Sequence, residues 1–469
     1  MSNIKRKRGR LKILSLFLLI LIILFGIKLF QVTVSSAALK EFKGSYPEEI
    51  SINGTVKEFN LIADEAKISI SDSKNLKVWS YNSQVPGPEL RVKLGDTVKI
   101  NFTNNLIQET TIHFHGIRVP NAMDGVPGVT QESIKPGESF VYEFAPKDAG
   151  TFWYHPHVRS SEQVERGLYG AIIVEDQNEP IYDQDKVIIL DDWRLDQFGQ
   201  IDPYFNTGHD LSHDGRWGDT ITVNGKSNFK LSVKSGQRLR LRFINTSNAR
   251  VYQLDFGDLS AKGFAVDGMK AKETFEADGF LLAPGNRIDV DIAIPMVSRN
   301  KPYQIKDNFT QQSIKLMEIE VEESLSEYNN FETPIAKHFP EWKNEVQKID
   351  EEYVIDARRG GGYGIEWTIN GKAYPDYDPV KLKKGTFNKI RITNDSFRIH
   401  PMHIHGQFFK VLSKNGYLID EPFWRDTVLI EPKESIDIGL VPLDKGEWVS
   451  HCHTLEHAEA GMMTVVSVN

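Results

Sequence analysis

Three stretches of this chain repeat one pattern, and that repetition restricts the possible folds more than any other feature. They are "SQVPGPELRVKLGDTVKINFTNN" (83–105), "ITVNGKSNFKLSVKSGQRLRLRFINTSN" (221–248) and "WTINGKAYPDYDPVKLKKGTFNKIRITND" (367–395). Each holds an alternating apolar strand, a glycine turn, a second alternating strand and an Asn-rich end. In the first copy Leu90, Val92, Leu94, Val98, Ile100 and Phe102 share parity, and in the second Phe229, Leu231, Val233, Leu239, Leu241 and Phe243 do. Side chains alternate across a strand, so each copy reads as a hairpin with one buried face. Copies beginning at 83, 221 and 367 predict an all-β chain of three β-sandwich domains of ordinary size. Composition shifts place a leading segment over 1–45, domains over 46–176, 177–325 and 352–469, and a polar linker over 326–351.

Charge narrows the partners. The chain carries 56 Lys and Arg against 64 Asp and Glu. Seven of the basic residues lie in the first thirty positions, which leaves 49 against 64, or −15, for the rest. A body this acidic repels phosphate backbones, so no nucleic-acid partner is expected. The basic cluster precedes an uncharged apolar run from Ile13 to Ile27, bounded by Lys12 and Lys28. Basic residues before such a run stay in the cytoplasm, which places everything after it outside the cell. The run fits either a signal-peptide core with cleavage near Ser36-Ala37-Ala38 or an uncleaved anchor whose flanking lysines snorkel, and the anchor is the reading preferred. With no twin arginine before the run, export runs through the general secretion route. Outside the cell the single cysteine, Cys452, cannot form an internal disulfide.

Ten of the thirteen histidines fall in four motifs, two in the first domain and two in the third: "HFHG" (His113, His115), "WYHPH" (His155, His157), "HPMHIHG" (His400, His403, His405) and "HCHTLEH" (His451, His453, His457). One His-x-His is weak evidence for a metal, but four split between two domains are not. Strand alternation turns His451 and His453 to one side and Cys452 to the other, so one strand joins two metal sites. His403 pairs in the same way with His405, and His113 with His115 around Phe114. His400 has the opposite parity, beside a turn expected at Pro401, and is predicted to join Cys452, with His457 and Met462 folding back to complete the set. Cys, two His and Met suit an electron-transfer copper, and the remaining eight imidazoles suit further copper ions with open positions for dioxygen.

These motifs resemble those of the three-domain multicopper oxidases, the laccase-like family that includes copper-tolerance oxidases, over the chain from about residue 50 to its end. The resemblance implies three cupredoxin-like Greek-key domains and four copper ions. A type 1 copper would take His400, Cys452, His457 and axial Met462; a type 2 copper His113 and His403; and a type 3 pair His115, His155, His157, His405, His451 and His453. It implies that a small reducing substrate is oxidised one electron at a time near an exposed edge of His457. Electrons then pass from Cys452 through His451 and His453, and dioxygen is reduced to water. Asp124, in "NAMDGVPG", matches the family's acidic proton relay. Many bacterial members carry a proton-supplying glutamate immediately after the last type 1 histidine; here Ala458 stands there, with Glu456 and Glu459 as candidate substitutes.

His209 and His213, in "GHDLSHDGRWGD", read as a solvated second-domain connection, His338 as an exposed linker residue, and "ARRGGGYG" as a flexible loop without the strand-to-helix setting of a phosphate cradle. The donor is expected to be a phenol or Cu(I). Only eight scattered methionines argue against a dedicated methionine relay for Cu(I). The physiological setting expected is copper tolerance, and the protein a monomer. The competing reading, a non-enzymatic exported scaffold of the same fold, conflicts with retention of every ligand.

Overall fold

A computed structural model of the chain describes residues 53–71, 74–296, 301–323, 329–337 and 348–469. The leading basic and apolar segment, its candidate cleavage site and His338 lie outside the described residues. The strands form six sheets that pack in pairs over three apolar cores. Each pair is built alike. The first long strand lies between an antiparallel neighbour and a parallel one: Val56–Ser71 between Lys74–Tyr81 and Thr97–Asn104, Gln184–Trp193 between Thr220–Val223 and Arg238–Asn245, and Glu351–Arg359 between Ile365–Ile369 and Asn388–Asn394. In the facing sheet an early strand runs parallel to the last one, as Leu90–Lys93 does with Gly170–Glu175, Phe229–Lys234 with Ile314–Glu322, and Val380–Leu382 with Met463–Val468. These are three cupredoxin-like domains.

The repeated pattern is therefore not a hairpin. Leu90–Lys93 and Thr97–Asn104 belong to different sheets, as do Phe229–Lys234 and Arg238–Asn245. The glycine turn carries the chain from one layer of the sandwich to the other, and Gly95, Gly236 and Gly385 take φ of 98°, 78° and 70° there. Shared parity marks two strands facing each other across a core, so Leu90, Val92, Val98, Ile100 and Phe102 are all buried against one another.

The domains share more than linkers. Ile70, Val78, Trp153, Tyr169, Trp193 and Leu455 belong to one apolar cluster that draws on all three domains. The outward edges of Arg240 and Arg242 are buried too, paired with Asp289 and Asp185, and Arg242 also donates to Thr151 of the first domain at 2.8 Å. Of the expected linker, residues 329–337 are bound along the second domain: Thr333 Oγ1 donates to Asp291 at 2.5 Å and the Ala336 amide to the Ala271 carbonyl at 2.8 Å. The Asp291 carboxylate and the Ala271 backbone give this polar strap partners that its composition could not reveal.

Candidate metal centre

The strand His113–His115 pairs with Gly150–His155, placing His113 opposite His155. The strand His400–Ile404 pairs with Gly446–Cys452, placing His403 opposite His451 and Met402 opposite Cys452. Alternation does the rest: Phe114 turns into the first-domain core while its two flanking histidines leave it. The first- and third-domain imidazoles interleave, His113 stacking on His405 and His115 on His403 with ring centroids 3.8 Å apart.

Eight histidines thus converge in three sets. His115, His155 and His453 form one, His157, His405 and His451 a second, and His113 and His403 a third beside His115; within each, ligand nitrogens lie within 4.8 Å of one another. The outer nitrogens are committed. His113 Nδ1 donates to the Asp124 carbonyl at 2.7 Å, His155 Nδ1 to that of Pro156 at 3.0 Å, and His403 Nδ1 to that of Asp426 at 2.9 Å. Each bond fixes a tautomer whose inward lone pair is free, and the Nε2 atoms of His113, His155 and His403 have no protein partner. Burial pushes the His451 imidazole down to about 3, so the ring is neutral. Converging buried lone pairs without donors are costly, and cations that favour imidazole fit them.

On the other side of the Gly446–Cys452 strand, Cys452 Sγ lies 3.6 Å from His400 Nδ1 and 3.8 Å from His457 Nδ1, and those two nitrogens are 3.1 Å apart. Burial pushes the Cys452 thiol up to about 12, so a bare thiolate is disfavoured and a soft cation is what would hold it. Ser396 Oγ sits 2.9 Å from His400 Nε2 and orients that ring. Met462 is fully buried in the same apolar cluster; its carbonyl accepts from the Cys452 amide and its amide donates to the His457 carbonyl, both at 3.0 Å. His400 arrives there by parity alone: Pro401 lies within the strand, opposite Leu429, and makes no turn.

Asp124 lies inside the site, its Oδ2 2.9 Å from His405 Nδ1. Neither candidate substitute for the missing glutamate reaches the eight-histidine cavity. Glu456 is fully buried, accepting from Asn248 Nδ2 at 2.7 Å and the Arg216 amide at 3.1 Å, and burial pushes its carboxyl up to about 7. Glu459 faces the backbone of Ser160 and Ser161. A second carboxylate escaped the sequence reading: Asp426 Oδ1 is 3.3 Å from His115 Nε2 and 3.5 Å from His403 Nδ1. It takes a two-pronged ion pair from the fully buried Arg287, at 2.8 and 2.9 Å, and that guanidinium holds the Asp426 carboxyl down at about 2 despite burial. Asp267 accepts from the amides of Asp426 and Thr427 and from Asn286. The one available signal was "RDT" (425–427), between the two third-domain histidine motifs, and nothing in its spacing links it to Arg287.

The second domain therefore supports the cavity although it supplies none of its histidines. Gly285, at φ +86°, lets its backbone pass so closely that a Cβ would stand 2.9 Å from His115 Cε1 and 3.0 Å from His453 Cδ2. It also overturns two expectations at the cysteine site. His457 has no exposed edge: its relative exposure is 0%, and its Nε2 donates to the His213 carbonyl at 2.7 Å. The His209–His213 stretch is not simply a solvated connection; its helical turn, Gly208–Ser212, buries Leu211 in the third-domain core, and the Leu211 carbonyl accepts from Trp367 Nε1 at 2.6 Å.

Comparison with known proteins agrees with this geometry. The multicopper oxidase family matches over residues 63–179, 184–329 and 348–469. Multicopper oxidase mco of Staphylococcus aureus is 31% identical, with 89% of each chain covered. The crystal structure of a multi-copper oxidase from Pseudomonas parafulva superposes with a TM-score of 0.79 at 32% identity, covering 88% of this chain and all of that one. A Campylobacter jejuni multicopper oxidase described as a metallo-oxidase superposes with a TM-score of 0.74 at 26% identity, covering 90% of this chain and 92% of that one. With buried nitrogens arranged for copper where its first and third domains meet, and one thiol beside two more in the third, the chain belongs to the multicopper oxidases, copper enzymes that oxidise reducing substrates with dioxygen as the acceptor.

Proposed function

We propose that His400, Cys452, His457 and Met462 hold a type 1 copper, that His113 and His403 hold a type 2 copper, and that His115, His155 and His453 hold one type 3 copper while His157, His405 and His451 hold the other. The observation that carries this assignment is the partition of eight imidazoles into sets of two, three and three around one cavity, with Cys452 joined covalently to a member of each three-histidine set. Copper there supplies one-electron acceptance from a donor and the four-electron reduction of dioxygen to water. The chain's own residues supply the rest. The peptide links on both sides of Cys452, with His451 Nδ1 2.8 Å from the Cys452 carbonyl, form a short bonded path between the two sites. Asp124 and Asp426 orient their histidines, and Asp124, beside both His113 and His405, is positioned to pass protons inward. The leading basic and apolar segment supports an extracytoplasmic location, anchored or released.

The donor proposed is a small reductant, phenolic or Cu(I), in the setting of copper tolerance; the chain works as a monomer. The metallo-oxidase description of the Campylobacter jejuni relative supports a metal-ion donor. The test is to load the protein with copper, record optical and electron-spin spectra, and follow oxygen uptake with a diphenol, Cu(I) and Fe(II) in turn. A thiolate-to-copper band and oxygen uptake with at least one donor are expected. No band, or no uptake with any donor, refutes the assignment and returns the scaffold reading.

A further inference from the structure

The turn that carries Asp124 is pinned between two domains. Asn121–Met123 forms one turn of 3-10 helix that ends on Asp124, whose amide donates to the Asn121 carbonyl at 3.2 Å. After Asp124 the first domain holds the chain: Gly125, at φ +83°, passes so close to Ile112 that a Cβ would stand 2.0 Å from its carbonyl oxygen. Before Asp124 the third domain holds it. The strand His400–Ile404 runs beside Gly446–Cys452 only as far as Val449, whose carbonyl accepts from the His405 amide at 2.9 Å. Glu447, two residues earlier, turns its own N–H and C=O to the same side, beyond the end of that neighbour. The Asn121 side chain takes the place of the missing strand, its Nδ2 donating to the Glu447 carbonyl at 2.7 Å and its Oδ1 accepting from the Glu447 amide at 3.4 Å. Gly446, at φ +142°, makes room for it, since a Cβ there would stand 2.5 Å from Asn121 Cγ.

We propose that Asn121 is a positioning residue for Asp124, stapling the first-domain turn to the third-domain strand that ends in His451 and Cys452. Its two bonds set how deeply the turn sits against the third domain. They thereby fix the 2.9 Å approach of Asp124 Oδ2 to His405 Nδ1, and the 2.7 Å bond that His113 Nδ1 donates to the Asp124 carbonyl. This role rests on the reading of Asp124 as the residue that passes protons inward. Reducing one dioxygen to two waters consumes four protons along with four electrons, so a carboxylate held loosely slows turnover and leaves donor binding alone.

The test is a double-mutant cycle of Asn121→Ala and Asp124→Ala in the copper-loaded enzyme, followed by oxygen uptake. Asn121→Ala alone is expected to lower kcat by roughly tenfold with the donor KM unchanged. It should also shift the electron-spin signal of the copper bound by His113 while the thiolate-to-copper band stays. In the copper-free protein the amides of Asn121–Met123 should exchange faster. Because Asn121 acts through Asp124, adding Asn121→Ala to Asp124→Ala should slow turnover no further. Losses that multiply in the double variant, or a parental kcat for Asn121→Ala while Asp124→Ala is slow, overturn the proposal. Gly446→Ala, which pushes Asn121 away from the opposite side, supplies the same readouts if Asn121→Ala does not fold. If Asp124→Ala alone leaves kcat unchanged, it is the relay reading that fails; an unshifted electron-spin signal with unaltered amide exchange would then overturn the placement by Asn121 as well.

Discussion

Replacing Asp426 by Asn tests the idea that a buried ion pair, rather than the histidines alone, shapes the cavity. The substitution preserves size and one acceptor but leaves Arg287, which has no exposed surface, with Asp267 at 3.6 Å as its remaining close carboxylate. Breaking a buried pair by removing one partner costs about 3–5 kcal/mol. Linkage has the same sign: the Arg287 guanidinium holds the buried Asp426 carboxyl below its ordinary value, which adds stability at neutral pH. The expected loss is therefore about 3 kcal/mol. Because the folded carboxyl is the more acidic, this contribution is complete above pH ~4 and fades as pH falls toward ~2. Denaturant unfolding of the copper-free proteins, followed by tryptophan fluorescence, should show the full difference at pH 7 and a smaller one at pH 3. A difference under about 1 kcal/mol at pH 7, or one that does not shrink in acid, would mean that the Asp426–Arg287 pair does not hold the cavity together.

Cys452→Ser should abolish the thiolate-to-copper absorbance and turnover while sparing the copper held by the eight histidines, so metal analysis should report about one ion fewer per chain. Gly285→Ala would press a methyl group on His115 and His453 and is expected to lower copper content with the Cys452 band retained; full copper occupancy would contradict the close approach. Asp124→Ala removes the carboxylate at His405 and should slow oxygen uptake by roughly 100-fold with the blue band intact, an outcome read by steady-state oxygen consumption. Trp367→Phe removes the N–H donated to Leu211 and should cost about 1 kcal/mol in unfolding of the copper-loaded protein, with the blue band shifting as the roof over His457 loosens.

The histidine motifs were legible because a strand has a period of two. Parity alone separates His451 and His453 from Cys452, and it sends Phe114 into the core and its neighbours out of it. The same parity misleads when two strands share an inward face. Leu90 and Val98 look like one face of a hairpin, whereas they face each other across a sandwich, and only pairing partners distinguish the two cases. The pairing of Asp426 with Arg287 was invisible because nothing local relates a carboxylate to a guanidinium 139 residues away.

What the sequence determined by itself is the all-β class, the three repeated units and the two faces of the strand through Cys452, since each follows from local periodicity and residue chemistry. Tertiary structure alone decided how three domains meet. It brought eight histidines of two domains into overlapping groups around one cavity, placed Arg287 against Asp426 behind them, and buried His457 under a second-domain turn that the sequence presented as solvated. These depend on contacts between residues far apart in the chain, where packing and desolvation act and alternation carries no information.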